Sequence, residues 1–289
     1  MRRVLLALIV PLPLLAVTAC QSASPAAPAA LTTPAASSAP ADPRLALGVA
    51  RYTAYVQAQL VTLLTRTQQF ATAVEAGKVT KAKSLYAASR IPWERIEPVA
   101  ERFGELDPKL DAREADLQPG QAWTGWHRLE KALWAKGSVA GGSVVGEAPI
   151  ARQLMVDLHT LAAKVQTVVL TPSQLGNGAK GLLDEVATGK ITGEEEIFSH
   201  TDLVDFAANI EGAKQAYAAL RPVALDRAPA LVKELDTEFS DVQRGLAAYG
   251  SGSTYRSYTE LSKEQIRRLA ESVDALSEPL SRLTAAVVA

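Results

Sequence analysis

The chemistry in this chain is concentrated where an imidazole and a carboxylate fall one helical turn apart. Trp123-Thr124-Gly125-Trp126-His127-Arg128-Leu129-Glu130-Lys131-Ala132-Leu133-Trp134 reads at helical period. Trp126, Leu129 and Leu133 form an apolar stripe, and His127, Glu130 and Trp134 lie on the adjacent one. His127 and Glu130 are i and i+3, which sets their Cβ atoms roughly 5–6 Å apart and lets both close on one ion. Bundle metalloproteins place a carboxylate and an imidazole at this spacing in the order Glu-x-x-His; here the order is reversed. The same spacing also serves an ordinary surface hydrogen bond. It points to a metal only with its context: three histidines in the whole chain, aromatics on both sides and carboxylates upstream.

Those carboxylates come in three groups. Glu94, Glu97 and Glu101 are i, i+3 and i+7 along a helical stretch whose inward residues are Trp93, Ile96, Ala100 and Phe103. Pro92 and Pro98 fall inside it, and each removes a backbone hydrogen bond and bends or breaks the helix, so the backbone near Glu97 is expected to be irregular. Asp107, Asp111, Glu114 and Asp116 lie on the polar connection 104–125, which leads into the His127 helix. Long connections in compact domains are often functional, although a solvated loop accounts for each acid singly. Further on, Ser199 and Asp202 have the spacing of a capping box. That puts His200 at the start of a helix, beside Glu194, Glu195, Glu196, Asp202 and Asp205. This segment is as well suited to a second ligand cluster, or a polar wall facing the first, as to a satisfied helix start. His159 is read as structural, because its nearest carboxylate, Asp157, is off its face.

The elements that must position these groups are helical. Of the 289 residues, the first twenty read as a lipoprotein signal: Arg2 and Arg3, an apolar run too short to span a membrane, then Val17-Thr18-Ala19-Cys20 with Cys20 as the acylated residue. Cys20 is the only cysteine, so the exported domain has no disulfide, Cys nucleophile or thiolate ligand. Imidazole and oxygen ligands suit iron, manganese, zinc or calcium. Residues 21–43 are nearly all Ala, Pro, Ser and Thr, a tether unable to bury a core. The roughly 245 residues from Arg44 onward bury about three-quarters of their unfolded-chain surface. Net charge is -1, and loss of Arg2 and Arg3 makes it -1 - 2 = -3. No basic stripe with interleaved aromatics calls for nucleic acid.

Helical period runs through 45–76 (Tyr52, Val56, Leu60, Leu63 and Phe70 inward), 80–103, 147–170 (Leu154, Leu158, Leu161, Val165 and Val168 inward), 203–220, 224–249 and 262–288. Thr171-Pro172-Ser173-Gln174 and Ser262 with Gln265 read as capping boxes. Gly137–Gly146 reads as a connector and Gly250–Ser253 as the last turn. The expected fold is all-α, with two side-by-side antiparallel four-helix bundles. They cover about 44–170 and 171–289, with a cleft between them.

Four blocks carry a resemblance. Trp93-Glu94-Arg95-Ile96-Glu97-Pro98-Val99-Ala100-Glu101, Leu106-Asp107 through Asp111-Ala112-Arg113-Glu114, Trp123 through Glu130, and Gly193-Glu194-Glu195-Glu196 through Ser199-His200-Thr201-Asp202-Leu203 resemble the imelysin-like domain of EfeO/EfeM proteins over about Arg44 to the C-terminus. The resemblance implies a helical, exported component of a ferrous/ferric iron uptake system, working with an iron permease and a haem-containing, peroxidase-like protein. It places the His-x-x-Glu pair on His127 and Glu130, and upstream acidic ligands on Glu97 and Asp111. Longer members begin with a cupredoxin-like domain. Residues 21–43 stand in its place, as in the shorter EfeM-like form, so copper binding is not expected.

The expected function is therefore capture of iron (Fe2+ or Fe3+, with zinc as a possible surrogate) by a monomeric lipoprotein on the outer face of the cell membrane, for transfer to a permease. The metal ligands are His127, Glu130, Glu97 and Asp111, with Glu94, His200, Asp202 and Asp205 as a second site or cleft. The alternative is a metal-dependent peptidase of the imelysin-like group, in which the ion activates water. Against it, helical zinc peptidases place two histidines at i and i+4, and position 131 is Lys. A third possibility is an adhesive lipoprotein whose charges are solvated faces.

Overall fold

The computed structural model describes residues 42–135, 144 and 146–288. The expected lipidation residue Cys20, nearly all of the expected 21–43 tether and most of the expected 137–146 connector lie outside these residues. The described chain is all-α apart from one two-residue ladder. In order it forms α1 (Pro43–Glu75), α2 (Val79–Ile96), a 3-10 turn (Glu97–Phe103), α3 (Leu106–Asp111), a 3-10 turn (Glu114–Asp116), α4 (Gly125–Trp134) and α5 (Ala148–Val165). Then come α6 (Pro172–Thr188), a 3-10 turn (Lys190–Thr192), α7 (Asp202–Arg227), α8 (Pro229–Ala247), strands β1 (Gly250–Ser251) and β2 (Thr254–Tyr255), α9 (Lys263–Ser281) and α10 (Leu283–Val288). Among the described residues no helix is long and apolar enough to cross a membrane.

The apolar faces read from periodicity are the ones buried: Tyr52, Val56, Leu60, Leu63 and Phe70 on α1; Trp126, Leu129 and Leu133 on α4; Leu154, Leu158, Leu161 and Val165 on α5. Each such side chain contributes about 1.5–3 kcal/mol relative to exposure. Two of the three expected capping boxes form, at Thr171 with Gln174 and at Ser262 with Gln265. One apolar cluster runs from Leu45 to Val287. α7 lies inside it, packed against α1, α2, α6 and α8. It is buried nearly all round, from Leu203 through Ile210, as a central helix must be.

Several local expectations are corrected. α2 continues through Pro92, and the α geometry gives way at Glu97, just before Pro98, to the 3-10 turn. The 104–125 connection contains α3, whose Leu106 and Leu110 are buried, so apolar anchoring makes a helix of a polar-looking stretch. Ser199 and Asp202 do not form a capping box. α7 starts at Asp202 itself, because the Asp202 carboxylate instead accepts the Glu196 backbone N–H at 3.0 Å. His200 therefore precedes the helix. Helical residues 203–227 run unbroken through Pro222, and the boundary comes at Ala228-Pro229. Gly250–Ser253 enters a β1–β2 hairpin.

Two glycines let the site elements close on one another. Gly212 on α7 faces the Arg95 carbonyl of α2, and a Cβ there would sit 2.4 Å from that oxygen. Gly125 opens α4 at φ +85°, and a Cβ would lie 2.1 Å from the Leu110 carbonyl of α3. Gly125→Ala is therefore expected to push α4 away from α3. It should cost about 1–3 kcal/mol from overpacking and the disfavoured φ, read as a lowered Tm. An unchanged Tm would show that the contact is not tight.

Candidate metal centre

The site is assembled from five places in the chain. α2 contributes Tyr86, Arg90 and Glu94 on one stripe at i, i+4, i+8. α3 ends on Asp111, α4 contributes His127 and Glu130, the 193–201 segment contributes Glu195 and Glu196, and α7 contributes Asp205 and Asn209. His127, Glu130, Glu94, Glu196, Asp205 and Asn209 are all at most 2% exposed, so every charge here must find a partner inside the protein.

His127 is the hub. Its Nδ1 faces Glu130 Oε2 at 3.3 Å and Glu196 Oε1 at 3.9 Å; its Nε2 faces Asp111 Oδ1 at 3.5 Å and Glu195 Oε1 at 3.6 Å. Two trios thus have ligand atoms within 4.8 Å of one another: Asp111, His127 and Glu195, and His127, Glu130 and Glu196. The Nδ1–Glu130 contact is a hydrogen bond, whereas Nε2 is buried with no hydrogen-bond partner. Glu130 is held from its other side, where Oε1 accepts the backbone N–H groups of Phe198 (3.0 Å) and Ser199 (2.7 Å). This ties α4 to the segment that carries Glu195 and Glu196.

Arg90 threads the cluster. Its guanidinium pairs with Asp111, with Glu94 at 2.5 Å, with Glu196 at 2.7 Å, and more loosely with Asp205 and Glu195. It also stacks over Trp126, 5.8 Å from the ring centroid. Trp93 Nε1 donates to Asp111 Oδ2 at 2.8 Å, and Tyr86 Oη donates to Glu196 at 3.1 Å. Lys190 joins Glu94 and Glu97 at 2.8 and 2.9 Å.

The electrostatics separate the two faces of His127. Burial and Arg90 push the imidazole down, but Glu130, Glu195 and Asp111 outweigh them and hold its pKa up at about 9. Burial would raise Glu195, yet Lys190 and His127 keep it well below the usual carboxylate range. Burial and the Glu130 charge raise Glu196 well above that range. Burial lifts Asp111 despite Arg90, and lifts Asp205 to about 8. Carboxylate charge is therefore held on Glu195 at Nε2 and on Glu130 at Nδ1, where the His127 partner keeps Glu130 low despite burial, and protons are favoured on Glu196 and Asp205.

A cleft of about 580 Å³ reaches this Nε2 face, with Asp111 and Glu195 in its lining together with Glu97, Asp107, Glu185 and Arg113. Burial raises Asp107 to about 7 and lifts Glu185.

Of the four expected ligands, the structure brings His127, Glu130 and Asp111 together. Glu97 stands apart: Lys190 and Asn209 (2.6 Å) take its carboxylate, and it belongs to neither trio. Among the possible second-site residues, Glu94 and Asp205 lie on Arg90, and Asp202 braces the Glu196 backbone. His200 adopts φ +59°, donates its N–H to the Glu196 carbonyl at 2.7 Å and accepts from Tyr258 N–H at 3.0 Å. Its observed contribution is to turn the backbone. His159 is exposed on α5. Glu195 and Glu196 were expected beside His200, in a second cluster or a polar wall facing the first, and not named as partners of His127, where the structure brings them. The available signal was Arg90, at i-4 from Glu94 on a face with no solvent-side pattern.

A family model described as imelysin, which carries a peptidase name, matches residues 48–283. The chain belongs to the imelysin family. It is 43% identical over 208 residues to the iron uptake system component EfeM of Bacillus subtilis strain 168, a match covering 72% of this chain and 53% of that protein. It is 40% identical over 235 residues to an Efem/EfeO family lipoprotein of Staphylococcus haemolyticus, covering 80% of each. With the Staphylococcus aureus MSSA476 lipoprotein of the same name it shares 41% over 236 residues, 80% of this chain and 82% of that one. The chain thus spans about half of the Bacillus relative and about four-fifths of the Staphylococcus ones.

Two outcomes follow for this imelysin centre. Arg90→Met leaves Asp111, Glu94 and Glu196 buried without their shared counter-charge, and is expected to cost about 3–5 kcal/mol in chemical denaturation; a loss below about 1 kcal/mol would mean water reaches the cluster. His127 has a folded pKa above its ordinary 6.5. Its contribution to ion-free stability is thus full below about pH 6.5 and lost as pH rises through about 9. A cation at Nε2 must expel that proton, so cation binding strengthens as pH rises toward about 9. The Tm rise on adding Mn2+ should be smaller at about pH 5.5 than at about pH 7.5, and a pH-independent rise would remove His127 from the site.

Proposed function

We propose that this protein captures an iron ion outside the cytoplasmic membrane and releases it to a membrane permease. The ion is held on His127 Nε2 with Asp111 and Glu195, at the inner end of the acidic cleft. The single observation that carries this reading is a fully buried imidazole nitrogen, without a hydrogen-bond partner, facing two carboxylate oxygens at 3.5 and 3.6 Å. A modest inward shift brings all three to ligand distance, about 2.0–2.2 Å for nitrogen and oxygen on a first-row metal. Glu130 then acts from behind. It accepts the Nδ1 proton, fixes the ring and raises its basicity, the usual partnership of a ligating histidine with a carboxylate.

Iron is the cargo this donor set and the relatives' names favour together. Thiol-free imidazole and carboxylate ligation suits it, and the Bacillus relative is named an iron uptake component. Arg90 is already bound to Asp111, so an incoming cation shares that ligand with a fixed positive charge. This weakens the grip and suits delivery better than storage. The Staphylococcus relatives are named lipoproteins, in keeping with acylation at Cys20 and a monomeric domain tethered by residues 21–43. A peroxidase-like partner would supply the redox step that the donor set here does not. The peptidase name of the family does not fit the geometry as well. Glu130, the residue placed to act as a base, is occupied by two backbone N–H groups and the His127 ring.

Anaerobic calorimetry with Fe2+ on the full chain tests this. Asp111→Asn, Glu195→Gln and the His127→Ala, Glu130→Ala double variant should abolish measurable binding, and Glu130→Gln alone should weaken it about 10- to 100-fold. Wild-type affinity in the double variant would end the capture reading.

A further inference from the structure

The Lys190 ammonium is a buried cation that helps keep Glu195 ionised but stands outside the ligand set proposed for the captured ion. It is 1% exposed, and it sits on the short turn between α6 and the segment carrying Glu195. Its Nζ is surrounded by carboxylate oxygens: Glu94 Oε2 at 2.8 Å, Glu97 Oε2 at 2.9 Å and Oε1 at 3.1 Å, and Glu195 Oε1 at 3.6 Å. That last oxygen is the one that also faces His127 Nε2 at 3.6 Å. One carboxylate oxygen therefore faces both the ring nitrogen and the ammonium, with the Arg90 guanidinium at 3.5 Å as well, and sharing of a carboxylate is how the metals of a two-metal site roughly 3.5–4 Å apart are bridged. A lysine ammonium is a compact point charge. It satisfies the same oxygens a small cation would, at longer distance and with a single charge.

Asn209 supplies a second observation. Its Nδ2 donates to Glu94 Oε2 at 2.9 Å and Glu97 Oε2 at 2.6 Å, while its Oδ1 is fully buried with no partner. Turned by half a rotation about its last bond, the amide presents that oxygen to the carboxylates as a further cation ligand. The pocket around Nζ thus has the donors of a second oxygen-ligand cation site, with an amino group in the cation's place.

We propose that Lys190 is a resident cation occupying the second position of a carboxylate-bridged pair, and that it thereby holds the centre to one captured ion. This rests on the capture reading above. It assigns Glu97 and Glu94 to the ammonium and not to the cargo. It also gives the centre a fixed charge beside Glu195 that disfavours a second cation and the tighter binding of a bridged pair.

The test is equilibrium dialysis of the full chain against Mn2+, with metal per chain measured and the electron paramagnetic resonance spectrum recorded. Wild type and Lys190→Arg should each take one Mn2+ and give an isolated-ion spectrum. Lys190→Met should take two and give the signature of a spin-coupled pair. Adding Glu97→Gln to Lys190→Met should return it to one, whereas Glu97→Gln alone should leave wild-type affinity within about threefold. One ion on Lys190→Met, or two on wild type, overturns the inference while leaving capture intact. No ion on wild type overturns both. If Lys190→Met is unfolded when metal-free, two equivalents of Mn2+ should restore its melting transition; failure to do so while Lys190→Arg folds also overturns the inference.

Discussion

Burying many carboxylates next to one another is what the rest of this structure has to accommodate. Asp111, Glu94, Glu130, Glu195, Glu196 and Asp205 meet in a space largely withdrawn from solvent, with Asp111 and Glu195 at the edge of the cleft, and an isolated ion in its interior would cost far more than a domain's whole stability. Compensation is distributed over Arg90, Lys190, the His127 imidazolium and a few directed N–H and O–H donors from Trp93, Tyr86, Asn209, Phe198 and Ser199. Such networks are weak evidence for stability. Their persistence in a core otherwise built of Leu, Val and aromatic rings argues that the charge is kept for what it binds.

The two ring nitrogens of His127 divide the labour. One is committed to Glu130, which is itself pinned by the backbone of a distant segment. The other is left facing acids that border a cleft. A preorganised ligand that costs nothing to orient binds well, and a neighbouring guanidinium limits how well. Capture and release ask for that balance.

The scaffold explains why these groups stay in place. α7 is buried on every side over Asp202–Ile210 and carries Asp205 and Asn209 into the middle of the cluster. Gly212 and Gly125 let backbones meet where any side chain would hold them apart. His200, in the left-handed region that histidine tolerates better than bulkier residues, turns the 193–201 segment so that Glu195 and Glu196 point inward while Glu194 stays exposed.

The sequence alone determined the helical class, the inward faces of α1, α4 and α5, the capping boxes at Thr171 and Ser262, and the His127–Glu130 ladder. All of these depend on residues within a turn or two of one another, where period and local hydrogen bonding are decisive. Tertiary structure decided the rest. Glu97 and Asp111 look equivalent as upstream acids, yet the 3-10 turn at Glu97 directs it to Lys190, while the apolar anchors of α3 deliver Asp111 to His127. Glu195, Glu196, Arg90 and Lys190 carry no local mark, because their partners lie as far as 115 residues away in the chain. Which of several acids loses its water and which gains a buried cation is fixed only when distant backbones close around them.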